Sequence, residues 1–158
     1  DTVVFDVGGD PTGATALGRY HEDFMDLEEG SLEVLNVVNI RRPLAGSAER
    51  IISLQDSIQR YSRLKITGII NNTNLQRMTG PEELRDGYEM LREVSIRTGV
   101  PVVYTSGLKE MTDIFASEGH DPAYCGEILP IDIYMHRDWD SWVEFGIRDQ
   151  NALGKTDA

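Results

Sequence analysis

Leu64-Lys65-Ile66-Thr67-Gly68-Ile69-Ile70 runs straight into Asn71-Asn72-Thr73-Asn74, and Thr79-Gly80-Pro81-Glu82 follows a few residues later. The apolar, β-branched run predicts a strand, which the asparagine cluster ends. Thr79-Gly80-Pro81-Glu82 has the spacing of a capping box, with proline near the first helical position. Leu84, Tyr88, Leu91 and Val94 or Ser95 then recur at intervals of three and four, the stripe of a helix with one apolar face. Gly99 breaks that helix, Val100–Thr105 predicts the next strand, and Ser106-Gly107 a turn. Strand, capped helix and strand in succession make a βαβ unit, whose strands are parallel.

The same alternation extends in both directions. Upstream, Leu32–Ile40 predicts a buried strand, and Pro43 interrupts before Ser47, an N-cap residue. Ile51, Leu54, Gln55, Ile58 and Ser62 then follow a helical period, with Ala48 and Ile52 beside them. Further upstream, Val3–Val7 predicts another buried strand, ended by the turn Gly8-Gly9-Asp10-Pro11. Ala14, Leu17, His21, Phe24 and Leu27 give the apolar face of a following helix. Downstream, Leu108, Met111 and Ile114-Phe115 mark a short helix. Ile128–Tyr134 predicts a shorter fifth strand, near an edge because of Pro130. The tail from Trp139 holds both tryptophans and predicts a last helix, with Asn151–Ala158 frayed. Strand and helix alternate at roughly 30-residue spacing, which predicts an α/β fold. The expected architecture has three layers, a mainly parallel sheet of about five strands and flanking helices. Its main body is 1–138, with 139–158 as a C-terminal helix and tail.

The 158 residues carry a formal net charge of -12, which disfavours nucleic-acid phosphate and anionic lipid as general partners. Arg41-Arg42 is the only basic doublet and fits a solvated loop. A single cysteine, Cys125, excludes an intramolecular disulfide and fits an intracellular, cytoplasmic protein. No basic region followed by an apolar stretch marks a secretory signal, and no apolar run approaches the ~20 residues of a membrane span. The three histidines show no metal-ligand spacing.

In sheets of this kind ligands bind beyond the carboxyl ends of the strands. The segments to weigh are therefore Asp6–Pro11, Asn39–Pro43, Asn71–Asn74 and Thr105–Gly107. Asp6, at the end of an apolar run, is placed to accept from Mg²⁺-bound water. Gly8 and Gly9 after it would let backbone N–H groups approach a phosphate. The plain alternative is a turn in which glycine and aspartate only punctuate the backbone. For Asn71–Asn74 the alternative is a polar loop closing a strand end.

In their order, VVFDVGGDPTGATALGRY, LEVLNVVNIRRP, TGIINNTN and VPVVYTSG resemble the Walker B strand and the strands after it in the MinD/ParA/CobQ group of P-loop ATPases, within the SIMIBI class. The resemblance covers the chain to about Tyr134 and is more specific in order and spacing than in single motifs. It implies a partial P-loop NTPase fold and, in the parent protein, ATP/ADP and Mg²⁺ as ligands. Asp6 would support Mg²⁺ through water, and Gly8 and Gly9 would lie near the γ-phosphate. Asp10 and Pro11 would form a switch-like loop, with Asp6 and Asp10 the catalytic pair. Asn72, or failing it Asn71, would recognise adenine, and Thr105, Ser106 and Gly107 would close over the base. An asparagine amide suits adenine, since it accepts from the exocyclic amine and donates to a ring nitrogen.

The departure from the family is its P-loop, which is not among these residues. Gly154-Lys155-Thr156 has Asp149, not glycine, five positions earlier, and it reads as a chance tripeptide. The chain also enters an apolar run almost at its first residue. The expectation is a fragment of a longer nucleotide-dependent switch ATPase, with weak ATP binding or none and no hydrolysis by itself. It is also expected to form a homo-oligomer, through the nucleotide face or through the exposed edge of Val3–Val7. A non-catalytic α/β interaction module is the alternative from another class. An ATP-dependent ligase or amidotransferase of the same superfamily is a further one.

Overall fold

The computed structural model describes residues 2–132. In chain order the regular elements are α1 (Pro11–Leu17), α2 (His21–Met25), β1 (Leu35–Val38), α3 (Ala48–Ser62), β2 (Gly68–Asn71), α4 (Pro81–Thr98), β3 (Val102–Gly107), α5 (Lys109–Ser117), α6 (Pro122–Cys125) and β4 (Glu127–Pro130). The four strands are parallel and lie in sequential order, β1-β2-β3-β4. The fold is α/β, a parallel sheet flanked by helices, with four strands rather than five. The expected tail at 139–158, the end of the fifth strand at 133–134 and the Gly154-Lys155-Thr156 tripeptide lie outside the described residues.

The missing strand is Val3–Val7. It pairs with nothing among the described residues, and Val4 is 85% exposed. Phe5 alone gains a partner, an edge-to-face contact with Phe24 at 5.5 Å between ring centroids. An apolar run satisfies the composition of a buried strand, but a strand also needs a neighbour to take its backbone hydrogen bonds. Among the described residues, no strand pairs with the outer edge of β1.

Local chemistry explains the helices. Ser47 caps α3 by accepting from the Arg50 N–H at 3.4 Å, and Arg63 ends it at φ 60°. Helix α4 starts one residue later than its capping-box spacing implies. Gly80 is the N-cap, and Glu83 rather than Glu82 reaches back to the Gly80 N–H at 2.7 Å. Glycine offers no side chain to return that bond, so only half of the box forms. Thr79 is diverted because its hydroxyl donates to the Gln76 carbonyl (2.6 Å) and accepts from the Leu75 N–H (2.8 Å), closing the turn before the helix. Gly99, at φ 74°, ends α4 as expected.

The α4 stripe buries Leu84, Tyr88, Leu91, Val94 and Ser95. Leu91 and Val94 join Ile51 of α3 with Val38, Ile69 and Val102 of the strands in one core cluster. Leu84 and Tyr88 join Phe115 and Cys125 in a second. Each fully buried side chain of this size is worth roughly 1.5–3 kcal/mol of transfer free energy. Helix α4 bridges the two clusters and so holds β2 and β3 in place.

Candidate functional site

The carboxyl ends of β1 and β2 are tied together by amides. Asn39, just after β1, donates from Nδ2 to the Asn74 carbonyl (2.9 Å), and its Oδ1 accepts from the Asn74 N–H (3.3 Å) and the Arg41 N–H (3.0 Å). Asn74 donates in turn to the Asn72 carbonyl at 2.8 Å, and the Asn72 N–H donates to Val38 at 2.8 Å. Beside this ladder lies a cleft of about 270 Å³ lined by Asn39, Arg41, Arg42, Asn74, Leu75 and Gln76. That is just under the ~300–1,000 Å³ of typical small-molecule pockets, a size for a heterocycle rather than a whole nucleoside triphosphate.

The two arginines differ. Arg41 bridges to α4, with Nη2 at 2.6 Å from Asp86 and 3.4 Å from Glu83. Arg42 is exposed, and among the described residues no carboxylate pairs with it. The doublet is thus one structural strut and one cation at the cleft.

Asn71 is placed differently from Asn72. It is fully buried, donates to the Leu84 carbonyl (3.2 Å), and accepts from the Thr73 hydroxyl (2.8 Å) and N–H (3.2 Å). Its amide links the end of β2 to α4 and faces no cleft. Thr105 and Ser106 are buried as well. Thr105 donates to the Cys125 carbonyl at 2.7 Å, and Ser106 to the Asn71 carbonyl at 3.4 Å. Ser106-Gly107 is not a turn. It is the end of β3, where Gly107 pairs with Pro130. Hydroxyl residues and glycine resemble a loop in composition, yet here the hydroxyls satisfy neighbouring carbonyls inside the sheet.

The Asp6–Pro11 segment is mostly exposed. Asp10 is the N-cap of α1, its Oδ1 accepting from the Gly13 N–H at 2.8 Å, and Pro11 is the first helical residue. Gly9 has open space around it. Gly13 lies so close to the Gly8 carbonyl that any Cβ there would clash. It fixes this turn, and its position three residues after a capping aspartate was the available signal. Asp6 is exposed, and among the described residues no group of three or more His, Cys, Asp or Glu is placed to hold a metal ion. A lone carboxylate does not build a Mg²⁺ site. The structure thus brings Asn72 to the Asn39–Asn74 ladder, while Asn71, Thr105 and Ser106 serve the interior.

A second, larger concavity of about 440 Å³ lies against α3, lined by Pro43, Leu44, Arg50, Ser53, Leu54 and Ser57. It lacks convergent polar groups, since Arg50 is drawn to the Pro43 carbonyl at 3.2 Å. Among the described residues the one large departure in acidity is Glu118, which the Arg85 guanidinium and then His120 hold down to about 2. It braces α4 against α5, and burial pushes the Cys125 thiol up. No described helix is long and apolar enough to cross a membrane. In comparisons with known proteins, no family model, curated protein or solved structure matches the chain.

Proposed function

We propose that the cleft beyond β1 and β2 receives the base of an adenine nucleotide. The chain would then be the base-binding part of a cytoplasmic switch ATPase of MinD/ParA type. The observation that carries this reading is the Asn39–Asn74 ladder, bonded to Asn72, at the carboxyl ends of two adjacent parallel strands, in a cleft that Arg42 also lines. Half-buried Asn72 has the donor and acceptor pair that adenine needs. Arg42 supplies a charge for the first phosphate or a face for the ring. The described residues offer no cradle for a triphosphate, so binding by this chain is weak and hydrolysis does not occur.

A second reading, a non-catalytic interaction module, is favoured by the burial of Asn71, Thr105 and Ser106 in structural bonds and by the exposed apolar edge at β1. Calorimetry with ATP and with adenosine separates the two. The nucleotide reading expects weak binding, above the micromolar range, that disappears in Asn72→Ala and weakens for ATP in Arg42→Ala. Binding unaffected by Asn72→Ala, or tight micromolar binding, would count against it.

A further inference from the structure

Arg41 and Arg42 both line the cleft, but their charges are not equally available to a ligand. The Arg41 guanidinium reaches to α4, where Nη2 lies 2.6 Å from Asp86 and 3.4 Å from Glu83. Glu83 is buried, and its other oxygen is taken by the Gly80 N–H at 2.7 Å. The Asp86 side chain is 54% exposed and does not line the cleft. Asp86 is therefore the nearer and the less committed of the two carboxylates, and it is the main hold on Arg41. The Arg41 backbone is anchored separately, since its N–H donates to Asn39 Oδ1 at 3.0 Å. The asparagine ladder thus keeps Arg41 in the cleft wall, and its half-buried side chain is free to exchange Asp86 for another anion there.

We propose that Asp86 is a specificity-determining residue of this cleft. By holding Arg41 it withholds one of two adjacent guanidinium groups from a ligand's phosphate, so that the cleft recognises its ligand chiefly by the base. Guanidinium groups bind phosphate through charge-assisted hydrogen bonds, and a doublet acting together would make the phosphate the dominant contact. With Arg41 spent on Asp86, the doublet offers the phosphate Arg42, with which no carboxylate pairs among the described residues. The ligand class this suits is a nucleoside or a nucleoside monophosphate. The inference rests on the base-binding reading of the cleft and adds to it the residue that sets its response to charge.

The test is an amide-resolved ¹H–¹⁵N titration with adenosine and with AMP, which differ by one phosphate. It uses the whole chain as wild type, Asp86→Asn, Arg41→Ala and the double variant, and the quantity read is the ratio of the two affinities. Asp86→Asn is expected to raise the ratio in favour of AMP about tenfold, the worth of one hydrogen bond to a charged group. In the Arg41→Ala background the same substitution is expected to change it less than about twofold, because no guanidinium is released. A ratio unmoved by Asp86→Asn would overturn the proposal. So would a gain of equal size in both backgrounds, whose cause would be the loss of one surface charge. Asp86 is exposed and Glu83 keeps its bond to Gly80, so Asp86→Asn is expected to fold as the wild type does. The Arg41 Nε signal gives a second readout that needs no Arg41 variant. AMP is expected to shift it further in Asp86→Asn than in the wild type, and equal shifts would count against the proposal. Adenosine binding with an unmoved ratio overturns this inference alone, whereas a wild type that binds neither ligand overturns the base reading and this inference with it.

Discussion

At the scale of single residues, the structure separates two asparagines that the sequence sets side by side. Asn71 is a structural bond, and Asn72 joins the Asn39–Asn74 ladder beside the cleft. Gly87 makes the first role possible, because a Cβ there would meet the Asn71 carboxamide and the Thr73 hydroxyl at impossible distances. Gly87→Ala gains helix propensity of about 1 kcal/mol but must break the buried Asn71–Thr73 pair. We expect a net loss of roughly 1–3 kcal/mol in urea unfolding, the range of overpacked cores. A second prediction concerns Glu118, held down to about 2 mainly by Arg85. A depressed carboxylate contributes stability that is complete above its ordinary value near 4.5 and is lost as pH falls through 2. Glu118→Gln is therefore expected to flatten the acid side of the stability profile in that window. The pair is partly exposed, so the difference should shrink at high salt, as urea titrations at several pH values would register.

At the scale of elements, α4 was legible and the first strand was not. Leu84, Tyr88, Leu91 and Val94 announce a buried stripe by spacing alone, and Gly99 announces its end. Leu91 touches the core that holds β2, β3 and α3 together, so Leu91→Ala is expected to cost about 2–5 kcal/mol by chemical denaturation. Val3–Val7 has the right composition for a strand, but pairing is a property of neighbours, which a local pattern does not contain. Thr79, which the spacing predicts as the N-cap, is displaced by Gly80 for a related reason. Its hydroxyl had a nearer use in the turn at 75–79 than at the helix start. Ser106-Gly107 has the composition of a turn, whereas β3 runs through both residues and the partner of the Ser106 hydroxyl, the Asn71 carbonyl, is far away in sequence. Asn39 and Asn74 are 35 residues apart, and only the parallel register of β1 with β2 brings them together.

At the scale of the whole molecule, sequential parallel strands send every carboxyl end in one direction. The cleft, the Asn39–Asn74 ladder and Arg42 lie at that end, while the β1 edge lies at the flank. The central claim is the nucleotide one, and an amide-resolved ¹H–¹⁵N titration of the chain with ATP tests it most directly. The account predicts progressive, weak shifts confined to Asn39, Arg41, Arg42, Asn72, Asn74, Leu75 and Gln76, reproduced by adenosine except at Arg42. Shifts confined to the Pro43–Ser57 concavity, or none in the cleft at millimolar nucleotide, would contradict it.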